Sequence, residues 1–146
     1  MKYTAVLVMV ACMALAGSSY STVRAQQAAA RSVLEGVYTL EQSKRGETRF
    51  ASDCAACHDA KLTGDIGPAL VGKDFIGGWK SMTVGDLFEK IKTDMPANAP
   101  GTLTAAQTAD VLAFVLSANR YPAGTTELPP DAALLKNVRM AEPPAQ

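Results

Sequence analysis

The run Cys54-Ala55-Ala56-Cys57-His58 decides how this chain is read. In a helix, positions i, i+3 and i+4 share one face, so Cys54, Cys57 and His58 would all point the same way. Two thiols and an imidazole on one face match the attachment chemistry of a c-type haem. Each thiol adds to a vinyl group to give a thioether, and the imidazole ligates the iron. His58 is the sole histidine among the 146 residues, so no other imidazole can take that place.

Other uses of the run fit less well. A structural zinc site takes four ligands, usually from two such pairs. Here the one further cysteine is Cys12, and there is no second histidine. A thioredoxin-like dithiol sits in a βαβ pattern, and no convincing strand lies near the run. A plain disulfide between Cys54 and Cys57 leaves His58 without a role.

Residues 1–25 read as a secretory signal peptide. Lys2 supplies the positive charge, Val6 to Ala16 the apolar run, and Val23-Arg24-Ala25 the cleavage region. The apolar run is too short for a spanning helix. Lipoprotein processing at Cys12 is a rival reading, but it leaves a very short apolar run; an uncleaved anchor is weaker. Cleavage removes Lys2 and Arg24 and no acid, leaving 12 basic and 14 acidic residues, a formal charge of −2. Such a balance lacks the basic face that nucleic acid calls for. After cleavage no strong membrane signal remains.

Residues 26–39 form an N-terminal extension, Ala- and Gln-rich at first and then apolar from Val33 to Tyr38. Thr39-Leu40-Glu41-Gln42 looks like a capping box, which predicts a helix from Leu40 to about Ser52. Gly46 inside that helix costs about 1 kcal/mol against alanine, so a second helix crossing close to it is expected. Phe50 sits one turn later on the same face. After His58, the breakers Gly64, Gly67, Pro68, Gly72, Gly77 and Gly78 predict a loop. Thr83 caps a helix from Val84 to about Thr93, with Leu87, Phe88 and Ile91 on one stripe. Met95-Pro96 ends it, because the residue before proline is pushed out of helical geometry. Thr104-Ala105-Ala106-Gln107 is another capping box, opening a helix to about Ala118.

Residues 122–146 form a Pro-rich C-terminal tail with a short helix over Ala132 to Val138. The tail reads either as loosely attached or as a segment that wraps the domain or docks a partner. With no internal repeat and no alternating pattern, the fold is expected to be all-α. The domain proper, residues 40–121, has roughly eighty residues, which is marginal without a staple. A covalent haem would supply one, so the haem-free chain is expected to fold poorly.

Iron held by His58 has a sixth position. Met82, Met95 and Met140 follow the motif and are candidates for that position, as are the lysines. Met95 lies in a loop between two helices, fixed by Pro96, and is the expected second axial ligand in the His/Met pattern. Met82, near Trp79, reads as core or haem-edge packing, and Met140 as surface or docking. Two protein ligands close the iron to oxygen and peroxide, and a soft thioether raises the reduction potential. That suits one-electron transfer and not catalysis. No nucleophile–base constellation is visible, and the scattered carboxylates read as solvated. The alternative is a haem enzyme or gas-binding sensor with an open iron position.

These residues resemble a class I monohaem c-type cytochrome over roughly Gly36 to Leu128. The resemblance is carried by Gly46-x-x-x-Phe50, Cys54 to His58, Ile66-Gly67-Pro68-Ala69-Leu70, Trp79, Met95-Pro96 and Asp110-Val111-Leu112-Ala113-Phe114. It implies three to five helices wrapped around one covalent haem c, with N- and C-terminal extensions, in a periplasmic protein. It implies that Gly46 and Phe50 pack on Phe114. It also implies that Pro68 offers its carbonyl to the second nitrogen of His58, where the plain reading is a loop breaker. Trp79 is implied as a haem propionate contact, and is equally readable as a core tryptophan. More narrowly, Gly36-Val37-Tyr38-Thr39, Thr83 to Phe88 and Ala118 to Gly124 are similar to cytochromes found with periplasmic quinoprotein dehydrogenases. That likeness implies redox partners: a dehydrogenase as donor, and an oxidase or another cytochrome as acceptor. Arg120 departs from the small residue often found at its position.

Overall fold

Thr39 opens the first long helix, α1 (Leu40–Asp53), and its hydroxyl accepts the Gln42 N–H at 3.1 Å. Gln42 does not complete the expected box. Its side chain turns inward to Leu128, donating from Nε2 to the carbonyl at 3.1 Å and accepting the N–H on Oε1 at 2.8 Å. The computed structural model describes residues 30–143. The expected signal peptide and Cys12 therefore lie outside the described residues. At Cys54 the backbone leaves helical geometry (φ −125°, ψ −33°), separating α1 from the single turn α2 (Ala55–His58).

The close crossing expected at Gly46 is present. Its partner is α5 (Ala105–Ala118), whose capping box at Thr104 and Gln107 is complete. A Cβ on Gly46 would overlap the Asp110 carbonyl oxygen and lie 3.0 Å from Phe114 Cβ. One turn on, the rings of Phe50 and Phe114 meet with centroids 5.3 Å apart at 54°. Such a tilted pair contributes about 0.5–1.5 kcal/mol beyond its buried area. Arg45 spans the same crossing, with two hydrogen bonds to Asp110 at 3.1 and 2.9 Å and one to Glu127 at 2.9 Å.

A further helix, α4 (Val84–Asp94), packs on α5. It buries Leu87, Phe88 and Ile91, and Thr83 and Asp86 form a full capping box at its start. Hydrogen bonds from Thr83 hold the Asp86 carboxyl below its ordinary range.

The breaker-rich stretch after His58 is not all loop. Gly77 and Gly78 lie inside a helix, α3 (Lys73–Trp79). Its hold is tertiary: Phe75 is buried in the core and Trp79, one turn on, packs partly buried against it. Both glycines face open space, so neither disturbs the packing.

Of the two readings of the tail, the structure has the wrapping one. The short helix is α6 (Ala132–Leu135), ending before the expected Val138. Val138–Arg139 forms a strand, β2, that pairs parallel with β1 (Arg31–Ser32) from the N-terminal extension. Leu128, Leu135, Val138 and Met140 are all buried in the core, together with Val33, Val37 and Tyr38. Tyr38 donates to the Tyr121 carbonyl at 2.6 Å, Gly124 N–H to the Tyr38 carbonyl at 2.7 Å, and Tyr121 to the Ala141 carbonyl at 2.7 Å.

Met140, expected at the surface, is buried, and Met82 stands outside the core at 39% exposure. The reason is backbone pairing. The Met140 N–H donates to the Met82 carbonyl at 3.0 Å beside a Thr83–Arg139 bridge, which draws the tail onto the start of α4. The fold is thus all-α in substance. Among the described residues it has six α-helices where three to five are expected, two of them of four residues, and one two-residue strand pair. Among those residues no helix is long and apolar enough to cross a membrane.

The crossing makes Gly46→Ala a test of the packing. The methyl gains helix propensity but drives two backbones apart, so the holo-protein should lose about 2 kcal/mol. Thermal unfolding of the purified holo-protein measures this, and a variant as stable as the parent would rule out the close approach.

Candidate haem site

The motif occupies one tight turn. The N–H groups of Cys57 and His58 both donate to the Cys54 carbonyl, at 3.1 and 3.0 Å. Cys54 and Cys57 are free thiols, each partly buried. Burial, and next the charge of Asp53, pushes the Cys54 thiol up to about 11. A redox dithiol needs its attacking thiol lowered, not raised. Among the described residues no group of three or more His, Cys, Asp and Glu side chains gathers as a metal cage.

His58 is buried, and its Nδ1 lies 2.8 Å from the Pro68 carbonyl oxygen. A carbonyl can only accept, so Nδ1 carries a proton, and in the neutral ring Nε2 keeps the lone pair. Gly67 makes this approach possible: a Cβ there would sit 2.9 Å from His58 Cε1 and 3.0 Å from Nδ1. From sequence, Gly67 reads as a loop breaker within the run Ile66 to Leu70, with no role at the ring. The single available hint is its place directly before Pro68.

The loop that presents Pro68 is itself bonded on all sides. Gly67 N–H donates to the Cys57 carbonyl at 2.8 Å, Gly64 N–H to that of His58 at 3.0 Å, and Leu70 N–H to that of Leu62 at 2.8 Å. The Asp59 carboxylate accepts from Lys61 N–H at 3.0 Å and the Thr63 hydroxyl at 2.7 Å, and these bonds lower its pKa. The far end of the loop is gripped by Asn119, a buried amide to which sequence reading assigns no role. Its Nδ2 donates to the Leu70 carbonyl at 2.7 Å and its Oδ1 accepts from Gly72 N–H at 3.3 Å. The available signal is an amide placed just beyond the apolar run Val111 to Leu116.

The structure therefore brings Cys54, Cys57, His58 and Pro68 into one contiguous arrangement. Met95 and Trp79 stand on other elements and are not part of that arrangement. Met95 caps the end of α4 in extended conformation (φ −117°, ψ 152°) and donates its N–H to Ile91. It is partly buried against the common core, as is Trp79.

Two free thiols three residues apart, an adjoining imidazole with one nitrogen spoken for, and a glycine cradle beneath the ring fit a covalently held haem. Together with the helical fold they define a c-type cytochrome domain. The family described as cytochrome C oxidase, cbb3-type, subunit III matches residues 41–115. That is just over half of the sequence, and the chain belongs to this family of cytochrome domains. A domain of this type carries one haem c per chain, and Cys54, Cys57 and His58 fit its attachment motif. No curated protein matches the chain. Among solved structures, the sulfane dehydrogenase SoxCD from Paracoccus pantotrophus is similar, at 23% sequence identity and a TM-score of 0.48. The alignment covers 62% of this chain and 54% of that one, so it spans about half of the SoxCD chain.

Gly67→Ala should place a methyl against the His58 ring and separate Nδ1 from Pro68. Loss of such an orienting bond typically costs about 10–100-fold in metal affinity. The recovered haem per mole of exported protein, read by pyridine haemochrome, should fall accordingly. Full incorporation would show that the ring does not depend on this glycine.

Proposed function

We propose that this chain is a periplasmic one-electron carrier whose haem iron is held by His58 and Met95. On this reading it takes electrons from a dehydrogenase, of the quinoprotein kind, and passes them to an oxidase or another cytochrome. The family supports electron transfer as the general role. The observation that carries the ligand assignment is the 2.8 Å hydrogen bond from His58 Nδ1 to Pro68. It leaves Nε2 as the one ring nitrogen free for a metal, in a chain with no other histidine.

The bound haem supplies a reversible ferric–ferrous couple. Pro68 fixes the tautomer and ring plane of His58. Met95 is supported by its own backbone bond to Ile91, at 3.1 Å, which ends α4 in an extended residue suited to present a side chain. Burial of His58 and of the core around it excludes water from the ring. With His58 and Met95 both holding the iron, no position would remain there for a substrate to bind.

The dehydrogenase as donor rests on the likeness of Gly36 to Thr39, Thr83 to Phe88 and Ala118 to Gly124 to quinoprotein-associated cytochromes. Two of those stretches interlock in the fold. Gly36 and Gly124 are in contact, so close that a Cβ on Gly124 would overlap the Gly36 carbonyl. This supports a shared frame for these stretches.

Optical spectra of both oxidation states test the reading. The ferric protein should show a sulfur-to-iron charge-transfer band, and the ferrous protein should not bind carbon monoxide. Met95→Ala should lose the band and bind carbon monoxide readily. A parent protein that binds carbon monoxide and lacks the band would instead have an open iron, as a gas sensor or haem enzyme does. Reduction by a purified quinoprotein dehydrogenase tests the donor, and a failure to exchange electrons with it would remove that assignment.

A further inference from the structure

We infer that residues 128–141 act as a strap that positions Met95 by holding α4 in place. This inference rests on Met95 being the second axial ligand.

The strap is tied down at both ends. Leu128 is clamped by both polar atoms of Gln42, at 3.1 and 2.8 Å. Further along, Arg31 N–H donates to the Asn137 carbonyl at 2.9 Å, β2 pairs with β1, and Ala141 accepts from Tyr121 at 2.7 Å. Between these ties α6 lies on α4 with no slack. A Cβ on Gly85 would come within 2.6 Å of the Lys136 backbone nitrogen and 2.7 Å of the Ala132 carbonyl oxygen. Lys136 Nζ adds an ion pair to Glu89 at 2.9 Å, with Asp86 at 4.0 Å. Val84 on α4 and Leu135 on the strap are almost completely buried.

Gly85 stands in the first turn of α4, and Met95 caps its end. A helix of this length is a stiff rod of about 16 Å. Its start is held by α6 and β2, and it also packs on α5. A shift of the strap therefore tilts the rod and moves its far end, where a displacement of an ångström matters to a ligand bond. Gly85 and Leu135 are positioning residues: neither is a candidate ligand, and each acts through the helix that presents Met95. Displacing the strap converts a closed coordination sphere into one that an outside nitrogen base can enter.

The test uses the full-length exported holo-protein in three variants. Gly85→Ala forces α6 off α4. Leu135→Ala thins the strap without adding volume, and carries the test if Gly85→Ala does not fold. Thr104→Ala removes the side-chain cap that steadies α5, as a control for general loss of stability. The probe is imidazole added to the ferric protein, with the charge-transfer band recorded alongside. Apparent affinity scales with the fraction of molecules in the open state, so the strap variants should bind imidazole about tenfold more tightly, with a weaker band. The control should melt earlier yet bind as the parent does. A parent with the band and strap variants with parental affinity would overturn the strap while leaving Met95 as ligand. A rise of equal size in Thr104→Ala would also overturn it, by tracing the effect to stability alone. A parent without the band would remove the Met95 assignment and this inference together.

Discussion

At Gly46 the backbone of α1 lies directly against the Asp110 carbonyl of α5, and the position of the haem motif follows from that contact. A side chain of any size there would push the two helices apart. Because α1 runs straight into the turn bearing Cys54, Cys57 and His58, the crossing sets where that turn stands. Because α5 ends at Asn119, the same crossing also sets where the amide reaches the Leu70 carbonyl. The glycine's unfavourable helix propensity, about 1 kcal/mol, is offset by packing: Phe50 on Phe114, with Arg45 bridging to Asp110 and Glu127.

The imidazole is reached from both sides of this crossing. From α1 comes the turn that carries His58. From α5, Asn119 holds residues 70–72, and the loop running back from there presents Pro68 to Nδ1. The His58–Pro68 bond is therefore an outcome of two helices and the loop they hold, and no local sequence preference produces it alone. Gly67 completes it by leaving room at the ring.

What could be read in the sequence is what local chemistry decides. The motif stands in five consecutive residues. Thr39, Thr83 and Thr104 each cap a helix through their own hydroxyl, and Pro96 stops α4 at Met95. The rest depends on distant partners. Gln42 sits three residues after Thr39, where a glutamine normally closes a capping box, yet its amide pairs with Leu128, which no spacing rule can foresee. The helix α3 carries two glycines that argue against it locally, and the packing of Phe75 and Trp79 on the core holds it. Met82 and Met140 lie in irregular segments, where no periodicity tells the inner face from the outer.

Those irregular segments raise a general problem, because a strand or helix fixes its register by repetition and a strap cannot. Apolar burial is non-directional, so Leu128 or Leu70 alone would tolerate a slip along the chain. Here each segment is pinned by a buried amide that binds backbone through both its oxygen and its nitrogen: Gln42 at Leu128, and Asn119 at Leu70 and Gly72. A slip would leave those polar atoms unpaired in the core, at about 1–3 kcal/mol for each group. Among the described residues no buried side-chain nitrogen or oxygen lacks a partner. In a domain this small, the two amides do for the loops what the Gly46 crossing does for the helices: they admit one register, and the haem site is built on it.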